Sequence, residues 1–126
     1  MDIKKQADLI VPVPSHPLDE IKRGYSHMSI ICKHISRSTG IKNIEALKRM
    51  IFPIFKRGQK FKDRTQRLYV KKRFDLRVQP QMIQSKDIIL IDDVTTTGAT
   101  VAECAQVLLE YGAKSVQAIC FALTRL

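Results

Sequence analysis

Two adjacent carboxylates, Asp92 and Asp93, close an apolar run, and Thr95, Thr96, Thr97, Gly98, Ala99 and Thr100 follow within the stretch ILIDDVTTTGAT, residues 89–100. A buried strand gains nothing from two charges at its end, and simple N-capping accounts for one or two of these threonines, not four. In an open parallel sheet, ligands bind beyond the carboxyl ends of the strands. The start of the following helix offers unpaired amides and a partial positive charge, which suit a phosphate. Threonine hydroxyls add donors, and Gly98 lets the backbone take positive φ and approach a ligand closely. The two carboxylates repel phosphate and suit vicinal hydroxyls or a magnesium ion instead. Hydroxyls on one side and a phosphate on the other describe a ribose 5-phosphate.

A second candidate is the loop PVPSHP, residues 12–17, with Ser15 and His16. Backbone amides there are better anion donors than His16 is an acid or base; the plain alternative is a rigid loop whose prolines only set its course. Cys32, Cys104 and Cys120 are odd in number and form no CxxC pair, and His16, His27 and His34 have no ligand spacing. This pattern predicts a reduced, cytoplasmic protein without structural zinc. His27 and His34 read as surface or packing residues, and the cysteines as core or inert.

The positive charge is concentrated. Of 22 Lys/Arg and 12 Asp/Glu, 13 basic and 3 acidic residues lie between Lys42 and Arg77, which carries the whole net charge of +10. Such a block predicts a polyanionic partner: a phosphorylated small molecule, nucleic acid or an acidic membrane. Phe55, Phe61, Tyr69 and Phe74 are interspersed and could stack bases or join the core. No helix-turn-helix or zinc-finger spacing accompanies them.

The elements that must hold these residues can be read from periodicity. Residues 8–14 predict a short buried strand. From Leu18 the apolar positions Ile21, Tyr25, Met28, Ile31, Cys32 and Ile35 fall at helical spacing, so residues 18–37 predict an amphipathic helix. Residues 43–49 read as a second strand, 56–72 as a basic flexible loop, and RFDLRV, residues 73–78, as an alternating strand. KDIILIDDV, residues 86–94, is continuously apolar, as a central parallel strand should be. A helix over residues 99–111 should bury Val101, Ala102, Ala105, Leu108 and Leu109 and stop at Gly112. Residues 115–125 form the last strand. Strands alternating with helices predict one α/β domain over residues 1–126, with a parallel sheet flanked by helices. No apolar run reaches the roughly 18 residues of a membrane helix. The start, MDIKKQADLIVPVP, does not read as a cleaved signal peptide, because its short apolar stretch is broken by two prolines.

ILIDDVTTTGAT resembles the phosphoribosyl-pyrophosphate (PRPP) signature of type I phosphoribosyltransferases: hydrophobic strand, Asp-Asp, one spacer, Thr-rich loop with glycine. VPVPSHPLDEIKRGYS, residues 11–26, resembles the ComF/GntX branch of that superfamily and the pyrophosphate loop of amidophosphoribosyltransferases. KRGQKFKDRTQRLYVKKRF, residues 56–74, is similar to that branch's flexible segment. The resemblance spans about residues 8–125. It implies a type I phosphoribosyltransferase-like core that binds PRPP and Mg2+ and transfers ribose 5-phosphate to an amine or base with release of pyrophosphate. Asp92 and Asp93 would bind the ribose hydroxyls and magnesium, directly or through water. Thr95, Thr96, Thr97, Gly98, Ala99 and Thr100 would hold the 5-phosphate. Ser15, His16 and Arg23 would face the pyrophosphate, and Arg64 and Arg67 would close over it. A homodimer is also implied.

Two departures accompany the resemblance. ComF-type proteins usually carry an N-terminal segment with paired cysteines, whereas this chain opens almost at its first strand, as expected of a minimal core, a gene fragment or a degenerate relative. The usual asparagine and Thr-Pro-Pro-Gln run are replaced near Tyr69 and near KRGQ. A second implied reading is a non-catalytic protein that binds PRPP, nucleotide or nucleic acid and is associated with competence and DNA uptake. In its nucleic-acid form the basic segment, including Lys71, Lys72 and Arg73, makes the contacts.

Overall fold

The computed structural model describes residues 7–14, 27–50, 73–95 and 98–123, with side chains for 7–14, 28–50, 73–92 and 98–120. In chain order the elements are β1 (Leu9–Pro12), α1 (His27–Thr39), β2 (Lys42–Asn43), β3 (Leu47–Arg49) and β4 (Phe74–Leu76). A 3-10 turn (Pro80–Met82), β5 (Asp87–Thr95), α2 (Ala99–Glu110) and β6 (Ser115–Leu123) follow.

Four strands form a parallel sheet in the order β2-β1-β5-β6. Every residue of β1 is buried, as are Ile88, Ile89, Leu90 and Ile91 of β5. Both faces of these strands are covered, which explains apolar runs without alternation. On one face α1 sets Met28 and Cys32 against Ile10, Ile41, Ile89 and Ile91. On the other, α2 sets Cys104, Val107 and Leu108 against Leu9, Val11, Ile88 and Leu90. Fully burying one such leucine or isoleucine contributes about 1.5–3 kcal/mol. The expected parallel sheet with flanking helices is therefore present, with β5 inside it.

The stretch 43–49 departs from expectation. It is not one strand: β2 extends the parallel sheet beside β1, while β3 pairs antiparallel with β4 in a separate two-stranded ladder. The pairing Leu47↔Leu76 and Arg49↔Phe74 aims Leu47, Phe74 and Leu76 into the α2-side core. The expected strand at 73–78 is thus β4, outside the parallel sheet. The basic loop at 56–72 lies outside the described residues.

The helices differ in detail. α1 runs to Thr39, two residues beyond the predicted end. Gly40 closes it at φ +77°, its N–H donating to Ser36 O at 2.8 Å. The predicted start of this helix, residues 18–26, lies outside the described residues. In α2 the buried residues are Cys104, Val107 and Leu108, with Val101 and Ala105 half-buried, while Ala102 and Leu109 face solvent. Apolar residues lie all around this helix, so periodicity alone could not place its inward face. Gly112 follows at φ +106° as expected.

This packing predicts a contrast between two leucines. Leu90→Ala, at a fully buried site, should cost about 2–5 kcal/mol in urea unfolding. Leu109→Ala, at 49% exposure, should stay within about 0.5 kcal/mol.

Candidate ligand-binding site

The strand order reverses between β1 and β5. From β1 the chain proceeds to β2 on one side, and later to β5 on the other. Connections diverge there, and the carboxyl edge at such a point is the usual ligand position in open parallel sheets. Pro12 is opposite Ile91, and the Val13 N–H donates to Ile91 O at 2.8 Å. The segment leaving β1 toward Ser15 and His16 therefore starts beside the strand that ends in Asp92 and Asp93.

Asp92 is half-buried and opposite Cys120 of β6. It continues the row of Ile88 and Leu90, so it lies on the α2 side of the sheet. The neighbouring thiols feel its charge. Burial first, then Asp92, pushes the Cys104 thiol up to about 12; Glu103 adds to this, while Arg73 and Arg49 act against it. Burial and then Asp92 also raise Cys120. Cys104 and Cys32 are buried, whereas Cys120 is exposed rather than part of the core.

Gly98 sits at the N-cap of α2 with φ +76° and ψ 1°, and its carbonyl accepts the Ala102 N–H at 2.9 Å. A Cβ there would meet nothing within 4 Å. The glycine is therefore required by the left-handed backbone rather than by crowding. Ala99 is exposed and Thr100 half-buried in the first turn of α2. Asp93 and Thr95 lie on the backbone at the end of β5. Ser15, His16, Arg23, Arg64, Arg67, Thr96 and Thr97 lie outside the described residues.

A charged cluster absent from the sequence reading lies on the α2 side. The β3–β4 ladder holds residues 50 and 73 together, with the Met50 N–H donating to Arg73 O at 2.7 Å. The Arg73 guanidinium forks onto the Glu103 carboxylate: Nε donates at 2.9 and 3.1 Å, and Nη2 at 2.7 Å. The guanidinium carbons of Arg49 and Arg73 stand 5.5 and 5.7 Å from the Phe74 ring centroid. The Tyr111 hydroxyl donates to Asp75 at 2.8 Å. These bonds tie β4 and its leading residue to the second turn of α2 and to its C-cap. No local spacing signals partners 30 or 36 residues apart. Phe74, at 1% exposure, belongs to the core rather than to a base-stacking surface.

Among the described residues no three His, Cys, Asp or Glu gather as a metal cage, and no helix is long and apolar enough to cross a membrane.

The fold is that of the type I phosphoribosyltransferase core. The chain overlays a glutamine PRPP amidotransferase from Bacillus subtilis with a TM-score of 0.61 at 20% identity, covering 91% of this chain and 22% of that one. It overlays a purine phosphoribosyltransferase from Pyrococcus horikoshii with a TM-score of 0.55 at 14% identity, covering 98% of this chain and 74% of that one. In sequence the chain is similar to Competence protein F of Haemophilus influenzae, 32% identical over 114 residues, covering 90% of this chain and 49% of that protein. It is likewise similar to DNA utilization protein YhgH of Escherichia coli, 33% identical over 124 residues, covering 93% and 50%. The resemblance to the ComF family thus extends over most of the chain. The chain spans about half the length of these curated relatives. No family model matches it.

Two outcomes follow from the geometry. Gly98→Ala should lose about 1–2 kcal/mol of stability in urea unfolding, because only the left-handed backbone opposes the new methyl. Asp92→Asn removes a charge that holds the Cys120 thiol up. Its pKa should fall, and its alkylation by iodoacetamide should shift to lower pH; an unmoved profile would mean that Asp92 carries no charge beside Cys120.

Proposed function

We propose that this chain binds PRPP with Mg2+ and transfers its ribose 5-phosphate group to an amine or base, releasing pyrophosphate. The observation that carries the reading is the strand tip at the point of strand-order reversal. There Asp92 ends the buried run of β5, the exit of β1 lies alongside, and Gly98 opens α2 in a left-handed conformation. The phosphoribosyltransferase fold of the solved neighbours supports it.

Each residue has a distinct task in this reading. Asp92 and Asp93 accept hydrogen bonds from the ribose hydroxyls and set negative charge near the ring, where an oxocarbenium-like transition state develops positive charge. The amides and hydroxyls of residues 95–100 hold the 5-phosphate at the start of α2. Ser15, His16 and Arg23 face the pyrophosphate after β1, and Arg64 and Arg67 cover it. The donor set suits magnesium, which prefers hard oxygens and usually takes one or two carboxylates plus phosphate oxygens and water. When bound by Asp92 and Asp93, directly or through water, the ion would neutralise charge on the leaving pyrophosphate.

A second reading draws on the relatives' names, Competence protein F and DNA utilization protein YhgH, together with the concentrated positive charge. Here the basic segment binds DNA. Arg73 is the weaker candidate for such contact, since Glu103 already occupies its fork; Lys71 and Lys72 are the better ones.

Calorimetric titration with PRPP decides the first reading. Binding should require magnesium and be lost in Asp92→Asn/Asp93→Asn. Absence of binding with and without magnesium would overturn the reading. For the second, binding of a labelled oligonucleotide should weaken steeply with salt, persist in the Asp variant, and decline in Lys71→Gln/Lys72→Gln.

A further inference from the structure

We infer that Arg49 is an anion-binding residue at the carboxyl edge of the sheet, placed to take a phosphate or pyrophosphate group of the ligand that meets Asp92. The inference rests on the reading of that ligand as a phosphorylated ribose.

Position is the first argument. Arg49 ends β3 directly opposite Phe74. Phe74 shares one core with Leu90 and Cys104. The next residue after Leu90 on that face is Asp92. Arg49 shares the Phe74 ring with Arg73, which bonds to Glu103 in the second turn of α2, so the strand end that carries Arg49 lies beside the half of α2 that follows the strand tip. Arg49 and Asp92 also act on the same sulfur, that of Cys104, with opposite sign.

Charge is the second. Two guanidinium groups gather at the Phe74 ring, and one of them, Arg73, is bonded to a carboxylate, Glu103. Glu103 takes the fork of Arg73 through both oxygens. Arg49 is half-buried, and among the described residues no carboxylate lies within ion-pair distance of it. A cation drawn partly out of water without a counterion favours an incoming anion.

Chemistry selects the anion. A guanidinium stacked on an aromatic ring keeps its edge free, and that planar edge matches two phosphate oxygens. A bare anion placed on Asp92 would be repelled. A ligand with hydroxyls at Asp92 and phosphate oxygens at Arg49 satisfies both groups at once.

The test titrates the protein with inorganic pyrophosphate in a magnesium-free buffer. Arg49→Gln should weaken binding about ten-fold or more, the loss expected for one charge-assisted hydrogen bond. Arg49→Lys, which keeps the charge and loses the fork, should fall between. Arg77→Gln removes the same charge just past β4, where Arg77 pairs with Glu45 at 3.4 Å, and should stay within about two-fold of wild type. Thermal melting confirms folding; if Arg49→Gln does not fold, Arg49→Lys decides. No pyrophosphate binding by the wild type, unchanged affinity in the Arg49 variant that is read, or an equal loss in Arg77→Gln would overturn the assignment. The PRPP titration of the Asp variant separates the two readings. Arg49-dependent pyrophosphate binding without PRPP binding keeps the anion subsite and sinks the PRPP reading. Asp-dependent PRPP binding that ignores Arg49 does the reverse.

Discussion

Strands β1 and β5 lie side by side, buried on both faces, and the chain departs from them toward opposite edges of the sheet. The rest of the described structure depends on this divergence. Because the two strands are parallel and paired in register from Leu9↔Ile88 to Pro12↔Ile91, their carboxyl ends reach the same edge. Because they are apolar on both faces, a helix must cover each side, α1 on one and α2 on the other. The switch point at their tips follows from chain path rather than from any one side chain. It is also the place where polar groups can meet a ligand without disturbing the core.

What surrounds that switch point is electrostatically uneven. Asp92 is half-buried beside two thiols whose ionisation it opposes. On the same side stand two arginines and one glutamate around Phe74. Among the described residues Glu103 pairs with Arg73, while no carboxylate lies within ion-pair distance of Arg49. The bonds from Arg73 to Glu103 and from Tyr111 to Asp75 make the hairpin and α2 one mechanical unit. Most isolated surface ion pairs contribute little, but a forked guanidinium–carboxylate pair at the base of a long connection fixes direction as well as energy. Arg73, where the described chain resumes, is thus held against the second turn of α2.

Structural overlays at 14–20% identity establish the type I phosphoribosyltransferase core. The sequence relatives carry names tied to competence and DNA utilization and are about twice as long. A shared core used with different additions is a common route by which one fold serves several functions.

The sequence by itself determined the features that local chemistry encodes. The continuous apolar run ending in Asp92 and Asp93 read as a central strand because both faces of β5 are buried, and Gly98 and Gly112 bracket α2 because only glycine takes those positive φ values cheaply. The ComF resemblance rested on other local strings, residues 11–26 and 56–74. Tertiary structure alone decided the rest. Residues 42–49 divide between two sheets because β2 finds β1 while Leu47 finds Leu76, and no period within eight residues records a partner so distant. The inward face of α2 falls on Cys104 and Val107 rather than Leu109 because the position of β5 and the hairpin chooses among several apolar stripes. Arg73 meets Glu103, and Arg49 stands over Phe74, because β3 and β4 dock on α2. Those pairings arise from packing between segments, which local periodicity does not specify.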